Sequence, residues 1–336
     1  MTTDLEYKLV DAFALSPFTG NVAGVILRAD GLTDKQMLAV ASELGASETA
    51  FVLEPTDREA AVRLRWFTPG SEVDFCGHAT LAAVHALLEA GRFSHGLAEP
   101  GTILPIETKA GVLTVRTERN AVPKPAAEES PVDRLSPPGA GAQAESPERI
   151  LPDTIWLDMP HCEPAREPVN VPAVARHLGL DPSALDPALP PIRTQDADVI
   201  LAVRELPMLL GLQPQMTELG RTCRRSRIRG VCVTTTNVLS AATAVQSRFF
   251  APAVGIDEDP VTGSVHGPLG LHLVRSGVVP MSGDRADFFC AQARAGGRAG
   301  LVRVIVSGSE DDGRKVRIGG RCVTTTGGTL RRPPGT

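Results

Sequence analysis

Apolar and polar residues follow each other along the chain in patterns that predict short strands and helices in close alternation. LTDKQMLAVASELG is expected to form a helix, because Thr33 and Gln36 fit a capping box and Gly45 ends the apolar repeat. A second helix is expected from about His78 to Ala90, with Gly91 as its stop. Strand-like segments with β-branched and aromatic residues surround both helices: YKLVDAFAL, NVAGVIL, ETAFVLE, AVRLRWFTP and the hairpin ILPIETKAGVLTVRT.

The second half of the chain repeats part of the first. RWFTP (65–69) precedes Gly77, and RFFAP (248–252) precedes Gly263. Gly91 follows Gly77 by 14 positions, and Gly277 follows Gly263 by 14 positions, and each pair brackets an apolar run of helical character. We interpret these segments as two copies of one structural unit, related by approximate two-fold symmetry.

The stretch between the two halves has a different composition. Residues 120–152 are rich in Pro, Ala, Ser and Glu and contain almost no large apolar side chains. Such a segment cannot bury enough surface to offset its chain entropy, so a disordered insertion or linker is predicted there. The predicted domains are therefore residues 1–119 and 153–330, with the option that the last strand returns to the first domain.

Charge and cysteine content narrow the class of protein. A formal net charge of -5 argues against a nucleic-acid binder, and a local run of five arginines between positions 221 and 229 is interpreted as a solvated loop or helix face. The six cysteines form no C-x-x-C pair, which argues against a zinc-ribbon spacing or a disulfide framework. The chain shows no apolar signal core and no membrane-spanning stretch, so a reduced, cytoplasmic protein with no membrane partner is expected.

The repeat places two equivalent helix starts in one protein. In a pseudo-symmetric protein two such helices are expected to face each other across the groove between the halves, with free N–H groups and positive dipole ends. Gly77 and Gly263 allow close approach of the backbone, and a small carboxylate suits such a place.

The side chains at the two helix starts leave several roles open. Cys76 is either an activated thiolate or a small buried residue, and His78 is either an acid/base group or a cap. Thr262 stands where a two-base racemase would need a second thiol. Asp259 is interpreted from its position as a helix cap, although it is also suited to orient His78, and Glu48, alone at a strand start, is by itself expected to face solvent.

Together these pieces resemble the phenazine-biosynthesis PhzF-like isomerase family. The matching segments cover most of the chain outside 120–152: VDAFALSPFTGNVAGVIL, ASETAFVL, RWFTP with DFCGHATLAAVHALLE, and RFFAPAVGIDEDPVTGSVHG. The resemblance implies an α+β fold of two pseudo-symmetric diaminopimelate epimerase-like domains. Each would be a mainly antiparallel β-barrel around a central helix, with the active site between the domains.

The resemblance also changes the interpretation of single residues. It implies that Glu48 is the acid/base group that moves a proton between carbons of a small carboxylate substrate, with no cofactor and no metal. A homodimer is implied as well. Catalytic roles are predicted for Glu48, His78 and Asp259, and substrate-binding roles for Cys76, Gly77, Thr262, Gly263 and Ser264.

Two other functions stay open on the sequence. The first is an amino-acid epimerase, racemase or dehydratase that uses Cys76, which Thr262 in place of the second thiol makes less favoured. The second is a family member that binds a protein and catalyses nothing, which the joint presence of Glu48, His78, Asp259 and Ser264 argues against.

Overall fold

The computed structural model of the protein describes residues 4–92, 102–118, 154–294 and 296–334. The insertion predicted at 120–152 lies outside these residues. The described chain divides into two compact units. One contains the residues up to Asp158 together with those from Gly319 onward, and the other contains Met159–Ile318. No helix within the described ranges combines the length and the apolar character needed to cross a membrane.

The first unit is a mainly antiparallel arrangement of strands with one wholly buried helix. Its elements in chain order are β1 Leu5–Ala12, β2 Asn21–Ile26, α1 Asp34–Leu44, β3 Glu48–Leu53, β4 Val62–Phe67, β5 Glu72–Val73, α2 Gly77–Glu89, β6 Thr102–Thr108, β7 Gly111–Glu118 and β8 Thr154–Met159. Strands β2 and β3 pair in parallel, as do β4 and β6, and the remaining neighbours are antiparallel.

The helix α2 is the centre of this unit. Every residue from Gly77 to Leu88 is buried, which is expected of a helix whose side chains are mostly apolar around its whole circumference. It packs on β1, β2 and β3, so its first residues are held next to the beginning of β3. The helix α1 forms as predicted: Thr33 and Gln36 make the reciprocal bonds of a capping box, and Gly45 adopts the left-handed conformation that ends it.

The second unit repeats these connections. Its elements are α3 Val171–Leu178, β9 Ile192–Arg193, β10 Val199–Ala202, α4 Leu206–Leu210, α5 Met216–Arg225, β11 Val231–Thr235, β12 Thr243–Ala251, β13 Ile256–Asp259, α6 Gly263–Arg275, β14 Arg285–Ala293, β15 Ala299–Ser307 and β16 Lys315–Gly320. A core of apolar side chains from α3, α4, α5, β10 and β11 fills one side of it.

The predicted internal repeat is confirmed strand by strand. In the second unit β10 and β11 pair in parallel, and β11 and β12 are antiparallel. Strand β12 pairs in parallel with β14, and the chain between these two strands includes the helix α6. These pairings match β2–β3, β3–β4 and β4–β6 of the first unit. Gly91 and Gly277, at φ 66° and 72°, both turn the chain at the end of the repeated helix.

A last strand, β17 Cys322–Leu330, belongs to the first unit. It pairs antiparallel with β1, from Leu5 opposite Leu330 to Ala12 opposite Cys322. The carboxylate of Glu89, at the end of α2, accepts hydrogen bonds from both strands of this pair: from Lys8 Nζ of β1 at 2.7 Å and from Thr324 Oγ1 of β17 at 2.5 Å. Burial alone would raise the pKa of Glu89, but hydrogen bonds from His85, Lys8 and Thr324 outweigh it and lower the pKa to about 2.

Candidate active site

Glu48 and His78, both predicted to be catalytic, are in contact within the first unit. Glu48 is the first residue of β3 and His78 is the second residue of α2, and Glu48 Oε2 lies 3.2 Å from His78 Nε2. Their side chains are 14% and 8% exposed, so Glu48 does not face open solvent as an isolated strand-start glutamate would. A carboxylate and an imidazole at this distance can share or exchange a proton.

A serine that the sequence did not single out joins this pair. Ser47 Oγ lies 3.1 Å from His78 Nε2 and 3.2 Å from the carbonyl oxygen of Val22, with the amide oxygen of Asn21 at 3.4 Å. With the proton on Nε2, His78 can donate to an ionised Glu48, which only accepts. Ser47 then donates to the β2 backbone and accepts from His78, which fixes the plane of the ring. In the sequence, only its position directly before Glu48 could have indicated that Ser47 belongs to the site.

Cys76 lies on the other side of the same imidazole. Its Sγ is 3.5 Å from His78 Nδ1, and the residue is 7% exposed. Cys76 is the residue before α2 and makes no side-chain bond to the helix backbone, so it does not cap the helix. Gly77 follows as the first helical residue. The ring of His78 therefore stands between a carboxylate and a thiol.

In the second unit the predicted residues gather at the start of α6. Thr262 Oγ1 donates to the carboxylate of Asp259 at 2.5 Å, and the backbone N–H of Thr262 donates to Gln292 Oε1 at 3.0 Å. Gln292 Nε2 in turn donates to the carbonyl oxygen of Asp259 at 2.8 Å. Gly263 and Ser264 are the first two residues of the helix. Asp259, Thr262 and Gln292 thus form one buried hydrogen-bonded group.

The interpretation of Asp259 as a helix cap is wrong. Asp259 is the last residue of β13, and the residue before α6 is Thr262, whose side chain makes no capping bond. The carboxylate of Asp259 accepts the Thr262 hydroxyl instead. The two-residue loop between Asp259 and Thr262 turns the carboxylate toward this hydroxyl, a contact that residue spacing alone does not distinguish from a cap.

The arginine run contains a residue that contacts this helix start. Arg229 Nη2 donates to Ser264 Oγ at 3.0 Å, and the same guanidinium makes a bidentate ion pair with Asp198, which is 1% exposed. Burial works against the charge of Arg229, but the ion pair with Asp198 outweighs it and raises its pKa above the ordinary value. The solvated-face interpretation is therefore wrong for Arg229, although Arg221 is exposed as expected; it pairs with Glu218.

A histidine near the same helix start is structural. His266 Nδ1 lies 2.8 Å from the carbonyl oxygen of Thr262, in the position where Thr80 of α2 donates to the carbonyl oxygen of Cys76 at 2.6 Å. Burial lowers the pKa of His266 to about 4 and outweighs the contact with the Thr262 backbone, which raises it. The imidazole is therefore neutral near pH 7 and is not suited to exchange protons there.

The fold of the two units has a known counterpart. Each unit is a mainly antiparallel β-structure around a central helix, the diaminopimelate epimerase-like architecture. A hydroxyproline epimerase from Agrobacterium vitis has this fold, with a TM-score of 0.57 over 97% of this chain and 91% of its own, at 14% identity. At that identity the likeness is one of fold alone.

Closer relatives identify the family. The family described as phenazine biosynthesis-like protein (PhzC-PhzF) matches residues 10–328. An uncharacterized isomerase from Clostridium acetobutylicum is 31% identical over 95% of this chain and 96% of its own length. The PhzF-family protein of Bacillus anthracis has a crystal structure with a TM-score of 0.75, at 25% identity, covering 98% of this chain and 99% of that one. The chain belongs to the phenazine biosynthesis-like family and is an isomerase.

Proposed function

We propose that this isomerase moves a proton between two carbons of a small carboxylate-bearing substrate, with Glu48 as the acid/base group and no cofactor. The observation that supports it best is the 3.2 Å contact between Glu48 Oε2 and His78 Nε2 at the start of a buried helix. Glu48 would take a proton from a carbon next to an activating group and return it to another carbon.

His78 and Ser47 make this role chemically consistent. With Nε2 protonated, His78 stabilises the ionised carboxylate that has to accept the proton, and Ser47 keeps the ring in place. Once Glu48 is protonated, the contact from Nε2 weakens, which favours return of the proton to the substrate. The arrangement supplies a base and its partner from side chains alone.

The proposed substrate class comes from the helix starts. Free N–H groups at the first turn of a helix favour an anion, and Gly77 leaves the backbone of α2 open to close approach. Gly263, Thr262 and Ser264 present the equivalent backbone start on α6, with Ser264 held by Arg229. A carboxylate is the anion we propose for each helix start taken by itself. The homodimer and the cytoplasmic location stay predictions.

The test of the proposed function compares Glu48→Gln with Glu54→Gln in heavy water. Glu54 follows the same strand and its side chain is 76% exposed, so its substitution serves as the matched control. Both variants and the wild type are incubated with a pool of small carboxylate metabolites, and mass spectrometry records deuterium gained at carbon. Incorporation is expected for the wild type and Glu54→Gln and at least about a hundredfold less for Glu48→Gln. Full incorporation by Glu48→Gln would refute the assignment.

A second candidate function rests on the thiol. Because Cys76 Sγ lies 3.5 Å from His78 Nδ1, the imidazole could take the thiol proton, as an epimerase or dehydratase with Cys76 as base would need. In the same assay, loss of exchange in Cys76→Ala with exchange retained in Glu48→Gln would favour this function over the first. No exchange by the wild type, together with capture of a partner protein, would favour the non-catalytic alternative.

A further inference from the structure

Three side chains of the first unit bring a sulfur, a nitrogen and a carboxylate oxygen together. One donor atom each of Glu48, Cys76 and His78 lies within 4.8 Å of the others. Cys76 Sγ is 3.5 Å from His78 Nδ1, and Glu48 Oε2 is 3.2 Å from His78 Nε2. The proposed proton transfer uses Glu48 and His78 and gives the thiol no role, so the cluster contains one more chemically capable group than the reaction needs.

The three donors lie close enough together for a side-chain rotation to bring them onto one small metal ion. Zn²⁺ bonds to sulfur at about 2.3 Å and to nitrogen and oxygen at about 2.0 to 2.2 Å, in tetrahedral geometry. Neighbouring ligands of such an ion are then about 3.3 to 3.6 Å apart. The three donors lie within 4.8 Å of one another, and the contacts at 3.5 Å and 3.2 Å involve different nitrogens of the ring. One ion uses one nitrogen of the ring, so binding requires either Cys76 or Glu48 to change its side-chain torsion angles.

The chemistry of the donors selects the kind of metal. A thiolate and an imidazole favour soft or borderline ions such as Zn²⁺ and Cd²⁺, whereas Mg²⁺ and Ca²⁺ need several oxygen ligands. Cys76 and His78 are each 7% exposed, so a bound ion would be partly shielded from water.

We propose that Glu48, Cys76 and His78 form a binding site for a thiophilic divalent cation, of which Zn²⁺ is the representative, and that its binding inhibits the enzyme. The ion takes the carboxylate and the imidazole as ligands, so neither is available to exchange a proton with substrate. Metal binding and proton transfer exclude each other at this site. The site is thus a reversible inhibitory site that shares its residues with the proposed reaction.

Cadmium titration of the metal-free, full-length protein without an affinity tag tests the site directly. A thiolate–Cd²⁺ charge-transfer band in the ultraviolet is expected to saturate at one ion per chain, and Zn²⁺ is expected to displace it. Cys76→Ser should lose the band, and the matched control Cys162→Ser, which changes another buried free cysteine, should keep it. Loss of the band in Cys162→Ser, its retention in Cys76→Ser, or no band in the wild type would overturn the proposal.

Two further variants distinguish the full site from a single reactive thiol. Glu48→Gln and His78→Gln keep the cysteine but remove a ligand, so each should weaken Cd²⁺ affinity by about tenfold or more. Unchanged affinity in both would mean that the thiol alone binds, and would contradict the proposed site. Thermal unfolding of each variant without metal serves as the control that its fold is intact.

The binding measurement is independent of turnover. A protein that binds no cadmium leaves the Glu48→Gln test of the proposed function as it stands, and a protein that binds cadmium but exchanges no deuterium refutes the proposed function alone. For a protein that does both, one equivalent of Zn²⁺ should stop deuterium incorporation and a chelator should restore it. Exchange that continues at saturating Zn²⁺ would refute the inhibitory role.

Discussion

Removing either partner of the ion pair between Arg229 and Asp198 should lower the free energy of unfolding, but by different amounts. Asp198 is 1% exposed at its side chain, whereas Arg229 is 35% exposed. Arg229→Met leaves a buried carboxylate without its partner, a change that costs about 3 to 5 kcal/mol in comparable buried pairs. Asp198→Asn leaves an arginine that still reaches water and an amide that can still accept a hydrogen bond, so we expect a cost of about 1 to 2 kcal/mol.

The double variant tests the cause of this difference. With both charges removed, no uncompensated charge stays buried, so Arg229→Met with Asp198→Asn should be more stable than Arg229→Met alone. The control is Arg221→Met, because Arg221 and Glu218 form an ion pair whose side chains are 61% and 46% exposed. Removing such a pair should change the free energy of unfolding by less than about 1 kcal/mol.

Urea denaturation followed by circular dichroism measures all four variants against the wild type. The expected order of destabilisation is Arg229→Met, then Asp198→Asn, with Arg221→Met near the wild type. Equal effects of Arg229→Met and Asp198→Asn would refute the reasoning from exposure. A double variant less stable than Arg229→Met would refute the reasoning from the unpaired charge.

Two further predictions concern the repeated helices. The pKa of folded Glu89 is lowered to about 2, so its contribution to stability is fully present above about pH 4.5 and is lost as the pH falls toward 2. When the unfolding midpoint is measured across this pH range, we expect the free energy of unfolding to fall by about 1 to 2 kcal/mol, a value reduced by the partial exposure of Glu89. The fall should be smaller in Glu89→Gln. Gly270→Ala places a Cβ 2.5 Å from Val304 Cγ1, so despite the better helix propensity of alanine it should lower the free energy of unfolding by about 1 to 3 kcal/mol; an unchanged melting temperature would contradict this.

Local patterns predicted much of the fold. The capping box of Thr33 and Gln36 and the stop at Gly45 depend on neighbours within one turn, and they form as expected. The two pairs of glycines, each 14 positions apart, predicted α2 and α6, because a repeated unit keeps its helix length. The family resemblance, carried by the segments around Glu48, His78 and Ser264, predicted the α+β architecture of each unit.

Parts of the candidate site needed contacts between distant residues. Asp259 looked like a cap because carboxylates are common before helices, and only the geometry of the β13–α6 loop turns it onto Thr262. Arg229 looked like one more surface arginine, and its partner Asp198 lies 31 positions earlier in the chain. Apart from its position next to Glu48, nothing in the sequence indicated that Ser47 belongs to the site, because its contacts with Val22 and His78 depend on the pairing of β3 with β2.

The sequence by itself determined that α1, α2 and α6 form, about where they begin and end, and that the chain contains one unit twice, because these follow from short-range periodicity and from glycine conformation. It also determined the residue types at both helix starts. Only the tertiary structure decided which residues touch: that His78 stands between Glu48 and Cys76, and that Ser264 accepts a hydrogen bond from Arg229. Such contacts depend on strand pairing and helix packing, and these join residues whose separation along the chain carries no periodic signal.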